Sequence, residues 1–163
     1  MKKLHDFIKN EITTQLPAFK RVERYRGQDI AQEARQNDVM LYPACLIQYN
    51  VVESRALALG ITEQLLDIEF RLYFENYTRT RDDDMIAVED FTNVIERLRG
   101  NPNDNVQFTS MEEQRREQDN NFEQVNNPIV TYRTLYRNLE KYLSDTENNQ
   151  VVTIDATVSA TIQ

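Results

Sequence analysis

"LLDIEFRLYFENY", residues 65–77, decides how this chain is read. Leu66, Ile68, Phe70, Leu72 and Phe74 recur at every second position, and Asp67, Glu69, Arg71, Tyr73 and Glu75 sit between and after them. A period of two means a strand with one buried face and one face turned outward. The outward face mixes acids, a base and a tyrosine, without glycine, histidine or cysteine. A long strand with such a face predicts an anchor for a core on one side and a polar surface on the other.

The flanking segments extend this pattern. "YPACLIQYNVVE", 42–53, is nearly continuous in apolar residues, which predicts a central strand covered on both faces. The stretch 54–64 reads as a connection turning at Gly60. "FKRVERYR", 19–26, reads as a strand, and the polar run 27–38 as a short helix or loop between two strands. Leu4, Phe7, Ile8, Ile12 and Leu16 form one stripe, predicting a helix over 3–16 that ends at Pro17. A second amphipathic helix is expected from Met85 to Arg99, with Ala87, Val88, Phe91, Val94, Ile95 and Leu98 on its apolar stripe. Asp82, Asp83 and Asp84 lie at its positive end, Arg97 and Arg99 at its negative end, and Gly100 supplies the stop. A strand can begin at Val106. The polar run 115–127 reads as a mobile loop, and 128–140 as a strand rich in β-branched and aromatic residues. After a polar linker, 152–162 alternates again. That terminal strand either closes its own sheet or adds to the edge of a neighbour's.

The expected fold class is therefore α+β: a mostly antiparallel sheet with two amphipathic helices on one face, plus a C-terminal strand extension. One domain is expected over residues 1–140, with the extension over 141–163.

Composition limits the function. The 163 residues carry 27 acids against 19 bases, a net charge of -8, which disfavours a surface that coats nucleic acid. With 3 glycines, phosphate-cradling loops are poorly supported. The single cysteine, Cys45, reads as a small buried hydrophobe and permits no intrachain disulfide. No stretch approaches the ~20 apolar residues of a membrane span, and Asp6, Lys9, Asn10 and Glu11 interrupt any signal-like start.

Catalytic vocabulary is sparse. His5 is the single histidine, and its position in the first helix suits packing or surface better than catalysis. The cluster Asp82–Asp84 lacks the glycine and distal glutamate of an EF-hand loop and reads as helix-start acids. No cofactor and no metal is expected. Glu112, Glu113, Glu117 and Asp119 read as solvated. Tyr and Arg interleave over 132–142, where they could stack on single-stranded nucleic acid or, with more weight, form a protein contact. Rival readings are a nucleic-acid-binding accessory protein using Arg79, Arg81, Arg133 and Arg137, and a metal-dependent hydrolase at Asp82–Asp84.

The order of segments resembles that of the tail terminator (tail completion) proteins of long-tailed bacteriophages. The resemblance runs from about residue 3 to 140. It rests on "IKNEITTQLPAFKRVERYRGQ", "YPACLIQYNVV", the long strand, "VEDFTNVIERLRG" and "VQFTSMEEQRREQDNNFEQVNNPIVTYRTLYR". It implies a compact α+β subunit in a hexameric ring that caps the tail tube, halts its polymerisation and meets the head–neck connector proteins, with no reaction catalysed. Carried over, Asp67, Glu69, Arg71, Tyr73, Glu75, Arg133 and Arg137 become the candidate subunit or ring interface. Arg115, Arg116, Glu117, Asp119 and Phe122 become the candidate loop for tube or neck contact. The implied partners are copies of the chain, the tail tube protein and the neck. DNA would pass the lumen without specific binding, because an acidic wall repels phosphate. The implied location is the virion, and the host cytoplasm during assembly, with no membrane partner. Head-closure and other connector rings share these traits.

Overall fold

The computed structural model describes residues 1–26, 41–57, 61–75, 81–100, 106–119 and 125–138. They form a mixed α+β fold: α1 (Lys2–Gln15), β1 (Arg21–Arg24), β2 (Ala44–Ala56), β3 (Thr62–Glu75), α2 (Arg81–Arg97), β4 (Gln107–Phe108), β5 (Glu112–Asp119) and β6 (Val125–Asn138). The polar run 27–38, Gly60, Arg79, Phe122 and the extension 141–163 lie outside the described residues.

The strands make one six-stranded sheet in the order β1-β2-β3-β6-β4, with β5 also paired to β6. β1 runs parallel to β2, and every other pairing is antiparallel. β3 sits in the middle because its even-numbered face is apolar along most of its length. Leu66, Ile68, Phe70, Leu72 and Phe74 are all buried, in the same cluster as Leu4, Ile8 and Ile12 of α1 and Val88, Phe91 and Ile95 of α2. Aromatic rings tie this cluster together edge to face. Phe70 lies 5.2 Å from Phe91 and 5.9 Å from Tyr132 between centroids, favourable geometry for ring quadrupoles.

β2 is covered on both faces where its sequence is continuously apolar. Cys45 and Ile47 join the main core. Ala44 and Leu46 join Tyr73 in a second, smaller cluster on the opposite face. From Asn50 onward β2 is exposed.

Five sequence expectations are corrected. The connection after β2 is shorter than 54–64, because both strands continue as far as Ala56 and from Thr62. The hairpin is closed by the Leu57 amide donating to the Ile61 carbonyl at 2.8 Å. Helix α2 begins at Arg81, so Asp82–Asp84 form its first turn instead of preceding it, where the helix dipole favours them. In the polar run read as a loop over 115–127, the described residues 115–119 and 125–127 are strand: β5 pairs with β6 from Glu112↔Arg133 to Asp119↔Asn127. Its backbone completes the edge of β6, and its side chains are charged because an edge strand needs protection from further pairing. The strand expected from Val106 is interrupted. Between Phe108↔Tyr136 and Glu112↔Arg133 the edge carries one more residue than β6, and Thr109 fills the gap, its hydroxyl accepting from the Leu135 amide at 3.0 Å.

Helix α2 ends at Arg97 rather than at Arg99, so Gly100 lies beyond it, and close packing sets its identity. A Cβ there would lie 2.6 Å from the Phe108 amide nitrogen and 2.8 Å from the Val106 carbonyl oxygen, so only glycine permits this backbone approach.

Candidate functional site

The odd-numbered face of β3 gathers most of the residues singled out from sequence. Cross-strand register places Asp67 opposite Arg133 and Glu63 opposite Arg137. Arg133 meets Asp67 as a fork: Nε donates to Oδ1 at 2.7 Å and Nη2 to Oδ2 at 2.9 Å. This raises the Arg133 pKa through the Asp67 hydrogen bond. Glu69 and Arg71 pair along the strand at 2.7 Å, and the Arg71 guanidinium sits 4.5 Å over the Tyr25 ring, a cation–π contact. Tyr73 is 2% exposed. It therefore works as core for the small cluster with Ala44 and Leu46 rather than as an exposed contact. Glu75 pairs with Val125 at the end of the sheet.

β5 continues the face. Arg115 and Glu117 oppose Thr131 and Ile129 and form an ion pair with each other. Arg116 opposes Val130 and so faces the other way, bonded to Glu113 at 2.8 and 3.1 Å. The candidate contact group is thus split between two faces.

Sequence reasoning missed the most enclosed charged residue among the described ones. Glu63 is 2% exposed. It accepts from Arg55 Nε at 2.7 Å and from Arg137 Nε at 2.9 Å. Hydrogen bonds from Arg137 and then Arg55 hold its carboxyl below the usual range. Glu63 continues the odd-numbered series of the long strand, a series that reading "ITEQ" as connection cuts short.

In α1, His5 Nδ1 lies 3.1 Å from the Tyr49 hydroxyl, with the rings edge to face. Burial pushes the Tyr49 hydroxyl and the Cys45 thiol well above their ordinary values, which makes both chemically quiet at neutral pH. Among the described residues, no group of three His, Cys, Asp or Glu side chains is placed to hold a metal, and no helix is long and apolar enough to cross a membrane. Chemically, the odd-numbered face can present fixed charges and accept or donate hydrogen bonds at set spacing. Searches against protein-family models and against curated proteins give no match.

Proposed function

We propose that the chain is a ring-forming virion structural protein, a tail terminator that caps the tail tube, stops its growth and meets the neck. The reading takes both helices as backing for one face of the sheet, with the other face turned to the ring. The observation that carries it is the ion-paired face of β3, β6 and β5. Asp67–Arg133 and Glu63–Arg55–Arg137 hold long side chains in fixed positions across a broad surface. Such pairs add little to folding where solvent reaches them. They do set a charge pattern that selects a partner. Element order, helix then strands then helix then strands, supports the same reading.

The direct test is a tube-growth assay. Tail tube protein polymerising alone should give tubes of unregulated length, and adding this chain should arrest growth with particles bound at tube ends. Tubes that grow unchanged and carry no cap would refute the function.

A further inference from the structure

On its outer side β2 pairs with β1 from Ala44 to Ile47, yet it runs on beside β3 as far as Ala56. Among the described residues, no strand pairs with that outer side from Gln48 onward. The Ile47 carbonyl accepts from the Tyr25 amide across this edge at 2.8 Å. By the alternation of a strand backbone, Tyr49 and Val51 also turn their amides and carbonyls outward, while Gln48 and Asn50 turn theirs to β3. Val51 and Val52 are half-exposed. Such an edge invites pairing. The bulge between Val51 and Glu53 bends it, which discourages casual partners and favours a strand already held nearby.

The chain carries a matching segment. "VTIDATVSATI", 152–162, alternates an apolar row from Val152 to Ile162 with Thr153, Asp155, Thr157, Ser159 and Thr161, the pattern of a half-buried strand. The faces of β2 suit it. Tyr49 and Val51 lie opposite Ile68 and Leu66 on the even face, and Asn50 and Arg55 lie opposite Asp67 and Glu63 on the ion-paired face. With its apolar row beside Val51, the segment sets its hydroxyls and Asp155 beside Asn50 and Arg55. Direction agrees as well. Thr62 pairs with both Ala56 and Asn138, so β2 and β6 finish at the same end of the sheet. A strand added outside β2 lies roughly 15 Å from β6, and residues 139–150 can reach roughly 40 Å when extended. The segment then runs back antiparallel to β2. Tethering at that range gives an effective concentration on the order of millimolar, which favours the chain's own segment over that of another copy. Residues 27–40, which also lie outside the described residues, leave β1 near this edge. They lack a period of two and are rich in residues that strands disfavour.

We infer that the outer edge of β2, from Gln48 to Ala56, seats residues 152–162 of the same chain as an antiparallel strand, widening the ion-paired face by a row of Thr, Ser and Asp. The pairing stands apart from the ring reading, and only the use of the wider face rests on it.

The test uses full-length chains carrying Asn50→Cys, an exposed position where an antiparallel neighbour's side chain comes closest. The second cysteine is Asp155→Cys, Thr157→Cys or Ser159→Cys on the polar row, or Ala156→Cys or Val158→Cys on the apolar row. Cys45 is fully buried. Under mild oxidation one polar-row position should close a disulfide at least tenfold faster than either apolar-row position, and the product should run as a single chain on a non-reducing gel. Equal rates on both rows, products joining two copies, or faster closure to Ala31→Cys or Ala34→Cys would overturn the pairing and leave the ring reading standing. Hydrogen exchange needs no cysteine. The Tyr49 and Val51 amides should exchange at least tenfold more slowly in wild type than in Val158→Pro, with Gln48 and Asn50 unchanged; equal rates at Tyr49 and Val51 would overturn the pairing. Asp155→Lys with Thr157→Lys should weaken tube capping at least tenfold, and capping left intact would remove the added row from the docking face.

Discussion

On the even face of β3, Phe70 packs between the rings of Phe91 and Tyr132. One residue away on the odd face, Glu69 and Arg71 pair with each other across partly exposed ground. The backbone is shared, yet the two faces follow different physics. Apolar burial is non-directional and grows with area removed from water, so the even face dominates stability. Charges that water can reach exchange one good environment for another, so the partly exposed pairs of the odd face, Glu69–Arg71 and Asp67–Arg133, contribute little to folding. A strand can therefore anchor the core and carry a partner-specific pattern at once.

The largest effect that sharpens this contrast is Phe70→Ala. Losing a fully buried aromatic should cost about 3–5 kcal/mol, read from the urea midpoint. Gly100→Ala should follow at about 1–3 kcal/mol, because its Cβ must displace the Val106–Phe108 backbone. Asp67→Asn with Arg133→Gln should move the midpoint far less than either, while weakening capping of tail tubes. A shift as large as that of Phe70→Ala would break the distinction between faces.

Glu63 gives a smaller, pH-dependent effect. Its carboxyl titrates below the ordinary value of 4.5 because Arg137 and Arg55 bond to the ionised form. Its stabilisation is thus complete above that value and is lost as pH falls through the folded-state value. Glu63→Gln should flatten the acid limb of stability against pH, measured by thermal unfolding between pH 3 and 5. The smallest effect belongs to His5. With one histidine in the chain, its proton resonance is unambiguous and should titrate below 6.5 in the unassociated chain. The neutral ring's contribution is complete above 6.5 and declines as pH falls through the lowered value.

The alternation of residues 65–77 made β3 and its two faces readable, since period two is a direct imprint of the pleat. The stripe of Leu4, Ile8 and Ile12 did the same for α1. β5 was not readable, because an edge strand of "EEQRREQD" carries no apolar alternation and owes its conformation to hydrogen bonds with β6. Of the candidate site, Asp67–Arg133 lies in two strands 66 positions apart. Each residue was visible and the pairing was not, because register is a tertiary property.

The central claim is that this chain acts by docking on copies of itself. Sedimentation equilibrium of the full-length wild type tests it most directly. The account predicts a closed particle of about six copies of the 19.3 kDa chain, with no growth beyond it as concentration rises. A particle of single-chain mass at every concentration would contradict it.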